Sequence, residues 1–382
     1  MLLFDLTATQ GYGSTKQHGG GKYAEIVFEE LCQSGARMIG MWDSRRWISK
    51  KINSLCEKYN IKKVDYAIET IDSIVQNNRI ESIYSALPND ELLRFKGCKS
   101  IVTLHGLRSL EMPNDYMLLR YPMPFREKIK RFFKLFLPNR YLKRNSFLYY
   151  GKFFRNEKLS IITVSYHTKY SIATYYPQIA IDTIHVFYSP STSFPIQAPK
   201  RARVENYFLM VSTNREEKNA LRAIMAFDRL FCCGELEDFH VKLTGIESNI
   251  FNYKIKNIDK FEFCGYVDDN ILNQLYANAH AFVYPSFTEG FGYPPIEAMR
   301  YGIPVIASPF TSIPEICGDA AIYFNPFSIE EMMNRLLMIT NKDIYEQYAS
   351  KCLLRYKQIT NRQHDDLKNL VRYIMSNSSN IT

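Results

Sequence analysis

Short apolar runs alternate with longer stretches of helical periodicity along the chain. In the first half the runs are LLFDLT, ARMIGMW, SIYSAL, SIVTLHG, SIITVS and TIHVFYS. In the second half they are YFLMVST, HVKLTG, FEFCGYV, HAFVYPS, PVIASP and AIYFNP. Amphipathic stretches lie between them, as at Lys218 to Phe231 and Asp269 to Ala279. Alternation of this kind predicts parallel sheets with helices on both faces. Two series of about six strands predict an α/β protein of two Rossmann-like domains, and 382 residues suit two domains better than one core. Residues 189–206, SPSTSFPIQAPKRARVEN, are rich in Pro and Ser, lack periodicity and read as the linker. The expected division is 1–195 for the first domain and 196–360 for the second. Residues 361–382, with a helical pattern from Asp365 to Met375, are expected to pack back on the first domain. Ligands of open α/β sheets sit at the carboxyl ends of the strands, so two such domains facing each other would share one cleft, closing on hinges at the linker and the C-terminal segment.

Composition sharpens this outline. Apolar residues make up 46% and aromatics 14%, mostly Tyr and Phe, so a large core is available. The net charge of +9 points to acidic partners: phosphates, nucleotides, an anionic membrane surface or nucleic acid. That charge is local. Residues 120–158 carry twelve Lys or Arg against two Glu, which leaves the rest of the chain near −1. Within this segment Phe125, Ile129, Phe132, Phe133, Phe136 and Leu137 follow a helical period, with Arg126, Lys128, Lys130, Arg131 and Lys134 around them. A basic, aromatic amphipathic helix suits an anionic bilayer or a lipid-linked acceptor. The alternative is a helix packed on the first domain with a solvated basic face. No nucleic-acid module surrounds the patch, so no nucleic-acid partner is expected.

The eight cysteines, at 32, 56, 98, 232, 233, 264, 317 and 352, form no CxxC pair and no metal spacing. They read as reduced, mostly buried thiols of a cytoplasmic protein. MLLFDL at the start is too short for a signal peptide, and no run of 18 apolar residues predicts a membrane span. No Asp-x-Asp motif flanks a strand, so neither a metal nor a cofactor is expected.

Candidate chemistry concentrates in residues 284–302, YPSFTEGFGYPPIEAMRYG. The pattern is strand, tight loop, helix, with Pro294 or Pro295 opening the helix and Gly302 ending it. Gly290 and Gly292 let amides around Phe291 approach a ligand, and the helix points its positive end at them. Such a site suits a diphosphate. Carboxylates beside a diphosphate would be repelled, so Glu289 and Glu297 are expected to face neutral hydroxyls. Glu297 would accept from a ribose diol and Glu289 from a second sugar. That is the outline of a nucleotide sugar. Spacing alone fits equally well a surface Glu297 and a capping Glu289.

The stretch EGFGYPPIEAMRYGIPVIASPFTSIPEICGDAAIYFNP resembles the signature of the retaining glycosyltransferases of family four, glycosyl transferases group 1, which have the GT-B fold. The matching positions are Glu289 and Glu297 with seven residues between them, then Gly302, Pro304, Val305, Ile306, Pro314, Glu315 and Gly318. Weaker similarity covers YFLMVSTNREEKNALRAIMAF, SIITVSYHTKYSIATYYP, SIVTLHGLRSLEMP and GGGKYAEIVFEEL. The resemblance implies a GT-B architecture and transfer of a sugar, with retention of configuration, from a nucleotide-diphospho-sugar. It places Lys218, helped by Arg215, on the donor diphosphate. The family often has an arginine directly before this lysine; here Glu217 stands there. His105, at a strand end, would contact the donor sugar, and Arg108 a phosphate or the acceptor. Gly19, Gly20 and Gly21, before Lys22, would form a second phosphate-facing turn, with His18 beside it. The expected catalytic residues are Glu289, His105 and Lys218; Glu315 is expected to be structural. The expected acceptor is a glycan, lipid-diphosphate-linked, of a bacterial surface polysaccharide such as lipopolysaccharide or capsule. The enzyme is then cytoplasmic and peripheral on the membrane. A sugar-nucleotide epimerase or a catalytically silent membrane- or glycan-binding protein of the same fold are the competing expectations. The donor base stays open among GDP-mannose, UDP-hexoses and dTDP-rhamnose.

Overall fold

The structure, a computed structural model, describes residues 1–11, 19–191 and 204–378. His18 and most of the expected linker lie outside the described residues.

The described residues fall into two compact units. One is drawn from Met1–Leu107, Asn145–Pro195 and Thr360–Thr382, the other from Arg108–Arg144 and Ile196–Ile359. The first contains β1 (Leu2–Asp5), β2 (Met38–Trp42), β3 (Lys63–Asp65), β4 (Ser82–Ser85), β5 (Lys99–Leu104), β6 (Leu159–Thr163) and β7 (Ile184–Val186). They form a seven-stranded sheet in the order β3-β2-β1-β4-β5-β6-β7, parallel at every pairing. The second contains β8 (Tyr207–Met210), β9 (His240–Thr244), β10 (Phe261–Gly265), β11 (Ala281–Tyr284), β12 (Val305–Ala307) and β13 (Ala321–Tyr323). Its parallel order is β10-β9-β8-β11-β12-β13. All twelve apolar runs are strands. The thirteenth, β3, escaped the pattern because it is KVD, three residues with only Val64 buried.

Strand order reverses between β1 and β4 in one sheet and between β8 and β11 in the other. At such a switch point the connections leave to opposite sides and open a crevice at the carboxyl ends. The second crevice is framed by the segments that follow Met210 and Tyr284.

The second core packs Phe208, Met210, Val241, Leu243 and Val283 against Ile224, Phe227 and Phe231 of the Ala220–Cys232 helix. Met117, Leu118 and Tyr121 are buried in the same core. This corrects the division by sequence, which counted residues 108–144 with the first domain. Burial of those three side chains holds the segment in the second unit, and Asn252 N donating to Arg120 O at 2.8 Å adds a backbone tie.

The helix expected from Asp365 to Met375 is the end of a 35-residue helix, Lys342–Ser376. In the second unit Cys352 and Tyr356 are buried, and Arg355 donates to the carbonyls of Glu315 and Ile316. In the first unit Leu367, Leu370, Val371 and Ile374 are buried, and Tyr373 packs its ring on His185 at 4.4 Å. Five cysteines are buried; Cys232 and Cys233 are exposed, Cys264 lies between, and all eight are free. Among the described residues no helix is long and apolar enough to cross a membrane.

Candidate functional site

β8 and β11 are neighbours, so the segments after them meet although about seventy residues separate them. After β8 the chain makes a short 3-10 turn, Glu216–Lys218, and leaves it through Asn219 in the left-handed region at φ 52°. After β11 it runs through Ser286 into the loop that carries Glu289. The Glu217 carbonyl accepts from Phe287 N at 2.7 Å and lies 3.1 Å from Ser286 Oγ, which brings the two segments together.

Lys218 is buried, and its Nζ donates to Glu289 Oε1 at 2.5 Å and to the Tyr284 hydroxyl at 2.6 Å. Ser286 Oγ donates to the same Glu289 oxygen at 2.5 Å. Burial pushes the Glu289 carboxyl up, but the Lys218 charge and the hydrogen bonds from Lys218, Ser286 and Tyr284 outweigh it and hold the group below its ordinary value. Burial, then the Glu289 carboxylate, push the Tyr284 hydroxyl well up, so it stays a donor to Glu289. The capping role that spacing allowed for Glu289 is not what the side chain does: it is one half of a buried ion pair.

The loop from Glu289 to Gly292 is tied from one side. Ser312 Oγ donates to the Phe291 carbonyl at 2.8 Å and lies 3.0 Å from that of Glu289, and Thr311 Oγ1 accepts from Glu289 N at 2.8 Å. Gly292 caps the Tyr293–Arg300 helix at φ 116°, a conformation other residues rarely adopt. Pro294 and Pro295 have no N–H, so two of the first three helix residues offer nothing to an anion. The dipole remains for that task. Glu297 lies one turn in, against the Tyr276 hydroxyl, which burial and then this carboxylate push well up.

Glu217 is almost wholly buried, and two arginines converge on it. Arg108 Nη2 donates to Oε2 at 2.5 Å, and Arg215 Nη2 lies 2.6 Å from Oε1. Thus Arg108, Arg215, Lys218, Glu289, Gly290, Phe291, Gly292 and Glu297 all belong to the second unit. Sequence reasoning passed over Tyr284, Ser286, Tyr276 and Ser312. The first two stood inside the motif itself, but as strand and loop residues without chemistry of their own.

His105 and the glycines belong to the first unit. His105 follows β5, its Nε2 is 2.9 Å from the Ala86 carbonyl, and its ring meets Tyr23 edge-on at 4.7 Å. A carbonyl only accepts, so Nε2 carries the proton. Gly20 and Gly21 are not a turn: they are already helical, within Gly19–Gln33.

The basic segment forms the expected helix, Phe125–Lys134, and buries none of its residues. Phe125 and Phe136 are 76% and 73% exposed, and Phe132 and Phe133 are exposed beside them. Not all the cations are at the disposal of a partner: Arg131 makes two bonds to Glu216, at 2.7 and 3.0 Å, and Lys130 pairs with Glu127. Arg126 and Lys134 are exposed. Among the described residues no group of three or more His, Cys, Asp or Glu is placed to hold a metal ion.

Residues 195–351 match the family model of glycosyl transferases group 1. The O-antigen chain mannosyltransferase RfbU of Salmonella typhimurium is 29% identical over 323 residues, 78% of this chain and 86% of that protein. The O-antigen chain mannosyltransferase B of Escherichia coli is 29% identical over 179 residues, 45% of this chain and 47% of that one. Among solved structures, WaaG, a glycosyltransferase involved in lipopolysaccharide biosynthesis, superposes with a TM-score of 0.64 over 100% of both chains at 13% identity. Anabaena Alr3699/HepE in complex with UDP-glucose gives 0.64 over 97% of this chain and 98% of that one, at 14% identity. Residues 195–351 therefore carry a glycosyl transferases group 1 region, and the chain as a whole is similar to nucleotide-sugar-dependent glycosyltransferases and shares the GT-B fold.

Proposed function

We propose that the chain transfers a hexose, mannose foremost, from a nucleotide-diphospho-sugar to a hydroxyl of a lipid-linked glycan in O-antigen assembly, with retention of configuration. The sugar and the glycan are suggested by the two mannosyltransferase relatives. The observation that carries the reading is the buried Lys218–Glu289 pair at the carboxyl ends of β8 and β11. In the transfer the bond from the anomeric carbon to the diphosphate oxygen breaks, and a bond from that carbon to the acceptor oxygen forms. The acceptor proton passes to the departing diphosphate. Negative charge grows on that diphosphate, and a cation already fixed in place lowers the barrier without reorganisation. Lys218 and Arg215 supply it, with the dipole of the Tyr293–Arg300 helix. Glu289 orients the lysine and accepts from hydroxyls of the donor sugar; Glu297 accepts from the ribose. The reading asks for no metal.

We further propose a cytoplasmic protein held at an anionic bilayer through Phe125, Phe132, Phe133 and Phe136, with Arg126 and Lys134 toward the headgroups. Uncovered aromatics beside cations support this reading.

The test is donor turnover. The protein is incubated with GDP-mannose, UDP-glucose or dTDP-rhamnose, with EDTA, and with or without a lipid-linked O-antigen oligosaccharide. Acceptor-dependent release of one nucleoside diphosphate, with the product anomer matching the donor, is expected. Conversion of the donor to an isomeric nucleotide sugar without acceptor would point to an epimerase. No turnover and no nucleotide binding by folded protein would remove the reading.

A further inference from the structure

An acidic residue directly before a diphosphate-binding lysine ought to repel its ligand. Glu217 does not present its charge to solvent: its side chain is only 2% exposed. Its Oε2 accepts a hydrogen bond from Arg108, and Arg215 stands in ion-pair contact 2.6 Å from Oε1 without hydrogen-bond geometry; the two arginine side chains remain 55% and 50% exposed. One buried carboxylate thus pairs with two arginines whose side chains stay half exposed. The carboxylate is itself fixed. The Glu217 carbonyl accepts from Phe287 N and lies beside Ser286 Oγ, whose proton goes to Glu289. Lys218 follows Glu217 directly, so the three cations are tied to one short turn.

We infer that Glu217 is a positioning residue that holds Arg108 and Arg215 as a fixed fork beside Lys218 to take the donor diphosphate. A guanidinium has five N–H donors in a rigid plane, so a contact at one edge leaves the rest aligned for phosphate oxygens. A carboxylate in this place supplies through two neighbours the cations that an arginine there would supply alone. The inference rests on the donor-site reading above, which it deepens by naming the second and third cations.

Charge and position make opposite forecasts. Glu217→Gln removes a negative charge beside the site, so electrostatics alone predicts tighter diphosphate binding. Positioning predicts weaker binding, because both arginines lose their anchor. The full chain is titrated by calorimetry with GDP, UDP, GMP, UMP and inorganic diphosphate. In E217Q the nucleoside diphosphate bound by wild type is expected to weaken about tenfold, the size of one lost charge-assisted contact, with the monophosphate little changed. Glu217→Asp should recover part of the loss. In an R108Q/R215Q background E217Q should add nothing, since the residue acts only through those two. Equal or tighter binding in E217Q, or full additivity with the arginine changes, overturns the inference while leaving the donor site standing. Should E217Q not fold, R108Q and R215Q alone decide. Each is expected to lose diphosphate but not monophosphate affinity, and unchanged affinity in both overturns the fork. Wild type that binds none of the five probes overturns fork and donor site together.

Discussion

Lys218 and Glu289 show what one residue pair can decide. Lys218→Ala leaves a carboxylate buried without its cation, a change that typically costs about 3–5 kcal/mol. Turnover is expected to fall by about 100-fold or more, as when one transition-state charge contact is lost; steady-state rates and a melting curve check both. The pH dependence follows from the sign of the shift. The Glu289 carboxyl lies below its ordinary value, so its contribution is complete above the unfolded carboxyl value and is lost as pH falls through the folded one. Melting temperatures should therefore hold from neutrality to about pH 5 and drop below about pH 4, with a smaller drop in Lys218→Met. Gly292→Ala is a backbone test. At φ 116° an added Cβ would also stand 3.0 Å from Ile313 Cδ1, and a loss of about 1–3 kcal/mol is expected in thermal denaturation. The sequence made Glu289, Glu297, Gly292 and Lys218 visible, because each breaks an otherwise ordinary strand–loop–helix pattern. It could not show that Lys218 and Glu289 bind each other, because their meeting depends on the adjacency of β8 and β11. Nor could it show that Glu217 collects two arginines, one of them 109 residues away.

At the level of elements, the Phe125–Lys134 helix and the buried Arg222–Asp115 pair respond to change in opposite ways. The helix buries nothing, so Phe132→Ser with Phe133→Ser should leave stability within about 0.5 kcal/mol. Co-sedimentation with phosphatidylglycerol vesicles should fall sharply, and persistence of binding would end the bilayer proposal. Arg222 and Asp115, both 3% exposed, make two hydrogen bonds at 2.5 and 2.8 Å. Asp115→Ala should cost about 3–5 kcal/mol, since it strands a guanidinium in the second core. The basic helix was legible because its aromatic period and its charges agree. The long C-terminal helix was legible only in its last third, although Cys352, Tyr356, Ile359, Gln363, Leu367, Leu370 and Ile374 keep a three-and-four spacing and are all buried. Polar residues between them hid the stripe.

For the whole molecule, alternation of runs and amphipathic stretches sufficed to name two parallel sheets. Strand order was not legible, because parallel neighbours are joined through crossovers and share no local signal. The 108–144 segment was misassigned for the same reason: its place beside β5 in sequence outweighed three apolar residues whose partners lie a hundred positions on. The division of the Lys342–Ser376 helix between units makes a further expectation testable. A chain ending at Ile359 loses the cover that Leu367, Leu370, Val371 and Ile374 give the first unit, while the second keeps its core. Calorimetry should show the first unit's transition lowered or absent and the second's retained.

That division also fixes an order in time. A ribosome delivers residues 1–107 and 145–195 early, yet the part of the long helix that completes their unit, from Thr360 onward, emerges after the whole second unit. At about 5–20 residues per second the delay is on the order of ten to thirty seconds. During it the first sheet is assembled but unroofed, with the surface awaiting Leu367 and its neighbours open to chaperones or to other nascent chains. The half of the enzyme that is made first is the half that is finished last.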